Sequence, residues 1–187
     1  MFQFFIQYLK NPRSIGAVAP SGRFLAQKMM EPIEFSRAKC IVEYGPGTGV
    51  FTRELIKRKK RETILILIEY NLTFYQKLKT EFGGREDVHI INGSAENVRE
   101  YIGQHGILTA DYIVSGLPFA SLPTKMSEKI LKETQNAIGE RGRFLTFQYT
   151  MLKRKFFEQY FHMADCLLEF WNLPPAYVMV MTSKKRM

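Results

Sequence analysis

Cysteine is scarce in this chain of 187 residues: it occurs only as Cys40 and Cys166. Two cysteines cannot build a disulfide framework, and these two lack the spacing of metal ligands. Each lies in an apolar stretch, so both read as small core residues in a reducing cytosol. Histidine is nearly as rare, and His89, His105 and His162 lie outside the ends of every motif described below. No apolar run reaches the about 18 residues of a membrane-crossing helix. The start, Met1 to Lys10, lacks a basic n-region, a long apolar core and a small-residue cleavage site, so it does not read as a secretory signal. Acidic residues are also few, 18 against 27 Lys and Arg, giving a net charge of +9. Such a balance points to an anionic partner, either nucleic acid or an anionic membrane surface. The basic residues cluster at 57–61, 153–155 and 184–186. Each cluster taken alone reads as a solvated helix end or tail, and cations at a helix C-terminus also complement the macrodipole.

Apolar residues make up 45% and aromatic residues 13%, which indicates a globular chain with a core. Its length suits one domain and is short for two. The most informative stretch is Glu43-Tyr44-Gly45-Pro46-Gly47-Thr48-Gly49. It follows the short apolar run Cys40 to Val42, a buried parallel strand. It precedes Val50, Phe51, Leu55 and Ile56, which share one helical face. A strand, a glycine turn and a helix form a nucleotide-binding crevice, since glycine lets the backbone turn tightly and lets a ligand approach. The nicotinamide version wants Gly or Ala at the sixth place of G-x-G-x-x-G, and here Val50 stands there. A second strand, Thr63 to Ile68, is apolar without alternation, as expected where both faces are covered. It ends in Glu69, placed to accept hydrogen bonds from ribose hydroxyls; the alternative is a solvated strand end.

The α/β alternation continues. Helices are expected over Phe74 to Phe82, Ala95 to Ile102 (ending near Gly103), Met126 to Ile138 (closed by Gly139) and Lys153 to Phe161. Strands are expected over Val88 to Ile91, Asp111 to Ser115 and Arg143 to Tyr149. Cys166 to Trp171 and Ala176 to Met181 bracket Asn172-Leu173-Pro174-Pro175 as a closing antiparallel hairpin. This pattern predicts a doubly wound sheet with ligands at the carboxyl ends of the strands. Residues 1–39 stand apart from it. Phe2, Phe5, Ile6 and Leu9 form one apolar helical face, and a second helix runs from about Arg23 to Met30. The segment reads as core packing, a lid or a membrane-facing element.

An acid two places before the first of several alternating glycines resembles motif I of the S-adenosylmethionine (SAM) methyltransferases. The resemblance sharpens over the whole chain. Pro12 to Ser21, Val42 to Val50, Ser115-Gly116-Leu117-Pro118, Phe147-Gln148-Tyr149 and Asn172 to Ala176 resemble the bacterial SAM-dependent phospholipid N-methyltransferases. Their wider kin are the ribosomal RNA adenine dimethyltransferases. The resemblance implies a Rossmann-like class I fold with a seven-stranded, mostly parallel sheet, a C-terminal antiparallel hairpin and an N-terminal helical extension. Residues 1–187 would form one methyltransferase domain, with 40–187 as its core. It further implies SAM as cofactor and methyl transfer to the amine of phosphatidylethanolamine-type lipids. The protein would be cytoplasmic and peripherally membrane-associated. An anionic membrane is then the first candidate partner and nucleic acid the second, with no metal involved.

The implied SAM pocket uses Glu43, Gly45, Pro46, Gly47, Thr48, Gly49, Glu69, Ser94, Ala95 and Ser115. Relatives with Asp at the place of Ser94 use it on the adenine amine. Transfer would occur at Ser115, Gly116, Leu117 and Pro118, where Ser115 either orients the amine or caps the turn. The adenine enzymes carry Asn at the place of Gly116, whose amide carbonyl accepts from the exocyclic amine. Its lack here favours an alkyl amine. Tyr8, Tyr149 and Glu43 are the polar candidates for taking the amine's proton, and Arg13 or Arg23 suits a phosphate. A non-catalytic SAM-binding or lipid-sensing protein, and an RNA or small-molecule methyltransferase, are the other readings of the same fold.

Overall fold

The computed structural model describes residues 20–184. In chain order the elements are α1 (Pro20–Met30), β1 (Cys40–Tyr44), α2 (Val50–Arg58), β2 (Ile64–Glu69), α3 (Leu72–Phe82), β3 (Val88–Asn92), α4 (Val98–Gln104), β4 (Ala110–Ser115), α5 (Thr124–Ala137), β5 (Ile138–Gln148), α6 (Arg154–Phe157), β6 (Phe161–Glu169) and β7 (Ala176–Ser183). Single 3-10 turns precede α4, at Ala95–Asn97, and α6, at Met151–Lys153.

The seven strands form one sheet in the order β3-β2-β1-β4-β5-β7-β6. Strands β1 to β5 are parallel, while β7 runs antiparallel between β5 and β6. The unbroken apolar run of β2 is explained by its two covers. Leu65 and Leu67 face one core with Leu25, Met29, Leu55, Leu78 and Phe82, under α1, α2 and α3. Ile66 and Ile68 face the other with Val98, Ile102, Ile130 and Leu131, under α4 and α5. Successive strand side chains point to opposite faces, so a strand roofed on both sides must be apolar at every place. A seven-stranded mostly parallel sheet with an antiparallel C-terminal pair is what the sequence pattern predicts.

Several boundaries differ from expectation. Gly103 lies inside α4, and the helix closes at His105. Gly139 lies within β5, which is 11 residues long because its first residues pair with Ala110 before a register shift toward Tyr112. The expected helix Lys153 to Phe161 shrinks to one 3-10 turn and four α-helical residues, with Phe161 already in β6. Burial of Phe157 and Phe161 in the core wins there over local helix periodicity. Helix α1 packs on the core through Leu25, Met29 and Met30. The apolar face Phe2 to Leu9, with Tyr8 and Arg13, lies outside the described residues. The basic run 57–61 at the end of α2 is partly neutralised: Arg58 pairs with Glu54, and Lys59 is buried against Asp87 at 2.5 Å.

Candidate active site

The carboxyl ends of β1, β2, β3 and β4 are drawn together by the backbone. Gly45 N–H donates to the Ile68 carbonyl at 2.9 Å, Gly116 N–H to the Tyr44 carbonyl at 2.9 Å, and Gly93 N–H to the Glu69 carbonyl at 3.1 Å. A cavity of about 360 Å³ opens between them. Its wall is largely apolar, through Ile68, Phe74, Leu117, Leu122 and Ile130, with Glu69, Ser94 and Glu96 as polar points.

The glycine turn needs glycine for different reasons at different places. Gly45, Gly47 and Gly49 have φ of 61°, 56° and 78°, the left-handed region that side chains resist. A Cβ on Gly45 would also sit 2.9 Å from Leu117 Cδ2, on the cavity side. Gly49 faces the other way: its Cβ would meet the Phe82 ring at 3.2 Å, so its smallness serves the packing of α2 on α3.

Glu69 is nearly buried and ties the turns together. Its Oε2 accepts from Gly47 N–H at 2.9 Å and its Oε1 from Asn71 N–H at 2.8 Å. Burial pushes its carboxyl up from the ordinary range, and the Asn71, Gly47 and Tyr70 N–H donors oppose that rise. Each oxygen keeps acceptor capacity for a ligand hydroxyl.

Glu43 is fully buried beside the same turn. Thr52 Oγ1 donates to its Oε2 at 2.7 Å, while its Oε1 has no hydrogen-bond partner among the described residues. Burial raises the carboxyl to about 8, against the Thr52 bond and with a smaller push from Glu69. A buried acceptor without a donor is costly, and an incoming cationic amine would relieve it.

The residues expected from the sequence therefore divide. Gly45, Gly47, Glu69, Ser94, Ala95, Gly116, Leu117 and Pro118 line the cavity. Glu43, Pro46, Thr48 and Gly49 lie outside the lining, and Thr48 is exposed. Ser115 is fully buried and its hydroxyl accepts from Leu117 N–H at 3.2 Å, the turn-capping contact. Tyr149 stands past the end of β5, outside the lining. Burial raises its hydroxyl above the ordinary tyrosine value, with the Asn172 side chain bonding to it in opposition. Ser94 caps the 3-10 turn, accepting from Glu96 N–H at 3.3 Å and donating to Glu96 Oε2 at 3.0 Å.

Glu96 belongs to the Gly93-Ser94-Ala95-Glu96 turn that the resemblance places in the SAM pocket, and its side chain, with no role assigned from the sequence, lines the cavity. The acid absent from position 94 is present two residues on, facing the same cavity and 3.6 Å from Lys129. Tyr70, Phe74 and Met126 were missed, because their patterns read only as helix faces or loops.

Sheet order, glycine turn and acidic strand end define a class I SAM-dependent methyltransferase, and the donors and hollows described fit that cofactor. The chain belongs to the ribosomal RNA adenine dimethylase family, whose model matches residues 21–163. Over 176 residues it is 27% identical to an ornithine lipid N-methyltransferase of Singulisphaera acidiphila, covering 94% of this chain and 92% of that one. It is 27% identical to ribosomal RNA small subunit methyltransferase A of Borreliella burgdorferi, but over 58% of this chain and 36% of that protein. Among solved structures, the N-methyltransferase NodS of Bradyrhizobium japonicum WM9, in complex with S-adenosylhomocysteine, superposes with a TM-score of 0.76 at 10% identity, covering 98% of both chains. The chain is a SAM-dependent N-methyltransferase.

Proposed function

We propose that the acceptor is the primary alkyl amine of a membrane lipid, with phosphatidylethanolamine and ornithine lipid as the two candidates. The observation that carries this is Gly116. It stands where the adenine enzymes present an Asn, and it offers no side-chain acceptor. A side chain is also unwelcome there, since a Cβ would lie 2.9 Å from the Gly45 carbonyl oxygen. An aryl amine needs an acceptor to turn its lone pair away from conjugation. An alkyl amine is nucleophilic once neutral and needs only deprotonation and alignment. The full-length likeness to a lipid enzyme, against the partial likeness to the RNA enzyme, supports the same side.

In this reading SAM supplies an electrophilic methyl held by a sulfonium. Gly45 and Gly47 admit its methionine portion, Glu69 accepts from its ribose hydroxyls, and Glu43 meets its amino group. Ser94 and Glu96 face the adenine. Leu117 and Pro118 form the apolar wall beside the acceptor amine, keeping out water and fixing the line of attack. Tyr149 retains its proton at neutral pH, which leaves it a positioning contact beside Asn172 and not a base.

The test is a side-by-side transfer of radiolabel from SAM to vesicles of phosphatidylethanolamine, vesicles of ornithine lipid, and ribosomal subunits. Label in either lipid is expected, and which lipid takes it decides between the two amines. Label confined to RNA would overturn the acceptor. Label in none, with tight SAM binding, would favour a non-catalytic protein.

A further inference from the structure

Most of the large apolar side chains exposed among the described residues gather at one end of the sheet. Tyr70 and Leu72 follow β2, Met126 follows β4, and Tyr149 and Leu152 follow β5. Phe170, Trp171 and Leu173 form the β6–β7 turn, which lies at the same end because Gln148 of β5 and Leu168 of β6 both pair with Tyr177. The other two, Phe24 in α1 and Leu108 ahead of β4, do not follow the carboxyl end of a strand. This is the end at which the cavity opens.

The β6–β7 turn is built inside out for a solvated loop. Its polar groups are turned inward: buried Glu169 accepts from Trp171 N–H at 2.8 Å, and buried Asn172 donates to the Pro174 carbonyl at 2.6 Å. Its apolar side chains point out, with Trp171 at 76% and Leu173 at 80% exposure. Beside it, Leu152 is 88% exposed and is followed by Lys153, Arg154 and Lys155. Arg154 pairs with Glu158, while Lys125, Lys153 and Lys155 have no carboxylate partner within 4.0 Å among the described residues.

We propose that this rim docks the enzyme on an anionic bilayer, with Phe170, Trp171, Leu173 and Leu152 entering the boundary between headgroups and acyl chains. The proposal rests on the lipid-acceptor reading for its purpose: the cavity would open directly onto the lipid, so the amine enters without leaving the membrane. Aromatic rings with a polar edge favour that depth, and lysines without a carboxylate partner favour anionic headgroups. A second copy of this chain would set those lysines against one another.

Trp171 is the single tryptophan of the chain, so its fluorescence reports on this turn alone. The full chain is titrated with vesicles of phosphatidylglycerol and, separately, of phosphatidylcholine. Neither lipid carries a methylatable amine, so the result is independent of the acceptor. With phosphatidylglycerol, Trp171 emission is expected to shift to the blue and to be quenched by brominated acyl chains, with far less change on phosphatidylcholine. Phe170→Ser with Leu173→Ser is expected to weaken partition about tenfold or more, since two apolar side chains no longer leave water. S-adenosylhomocysteine affinity is expected to be unchanged, which shows the variant folded.

Vesicle-bound protein whose Trp171 keeps water-like emission would overturn the proposal, as would a variant that partitions like the parent. Blue, quencher-shielded emission in lipid-free monomer would assign the rim to the chain's own N-terminal segment. The same emission appearing only with dimerisation would assign it to a second copy. Insertion that is intact, with no label entering any lipid, would sink the acceptor reading and leave the docking surface standing.

Discussion

The two sides of the cavity solve different problems with different chemistry. On the β1–β2–β3 side, backbone N–H groups, left-handed glycines and two buried carboxylates are organised in advance. Glu69 holds Gly47 and Asn71, and Glu43 holds Thr52. On the β4–β5 side, the wall is Leu117, Pro118, Leu122 and Pro123, and the buried hydroxyls of Ser115 and Thr146 are committed, Ser115 to its own turn and Thr146 to the Ser115 carbonyl. The first side can recognise a polar nucleoside by hydrogen bonds. The second can exclude water and align an amine but has little with which to discriminate one. Such a division places specificity for the cofactor in fixed backbone, and leaves specificity for the acceptor to shape and to the surface the cavity faces.

The largest blow to this contrast is expected from Gly47→Val. A β-branched residue at φ 56° is strained, and Gly47 lines the cavity. Calorimetry is expected to show S-adenosylhomocysteine affinity lower by about a hundredfold, equivalent to about 2.7 kcal/mol, in a folded protein. Unchanged affinity would remove the glycine turn from the cofactor site.

Next in size is Gly116→Ala, which tests the other side. Its Cβ would press on the Gly45 carbonyl oxygen, so the acceptor turn must shift. A displacement near 1 Å at the reacting groups is expected to lower kcat about a hundredfold while cofactor affinity changes less than tenfold. If both fall together, the two sides are not separable as described.

Glu43→Gln is expected to act in opposite directions on stability and binding. The carboxyl's folded value, about 8, lies above its unfolded 4.5. Its contribution to folding is therefore complete below about 4.5 and is lost as pH rises through about 8. The Gln variant escapes that loss, so without cofactor it should melt higher than the parent at pH 9 and alike at pH 4. On the proposed reading the same change removes the group that would meet the cofactor's amine, and it is expected to weaken S-adenosylhomocysteine about tenfold or somewhat more. Melting curves over pH that stay parallel for both proteins would place Glu43 outside this role.

The smallest effect is expected from Tyr149→Phe. The raised hydroxyl is already protonated at neutral pH and bonds to Asn172. Loss of kcat should stay within about threefold, with an unaltered pH profile, whereas removing a general base costs about a hundredfold or more. A loss of that size, with a shifted profile, would return Tyr149 to the list of bases.

The β1–turn–α2 unit was legible from local sequence because its requirements are local. Positive φ selects glycine at 45, 47 and 49, and a strand covered on both faces must be apolar at each place, as in Ile64 to Ile68. A doubly wound sheet followed from the alternation of elements, and the antiparallel closing pair from the turn residues around Pro174, while the strand order came from the structure. Other features depended on neighbours distant in sequence. That Gly49 serves Phe82 and not the ligand, that Ser115 turns to Leu117, and that Glu96 supplies the acid missing at 94 depend on how α3, β4 and the β3 turn come together. The shortening of α6 came from the pull of Phe157 and Phe161 into the core. Phe170, Trp171 and Leu173 read from the chain as ordinary hairpin residues. Only the sheet, by bringing the ends of β5 and β6 level with the cavity, gathers them into one apolar rim, because burial is a property of the assembled surface and not of any window of sequence.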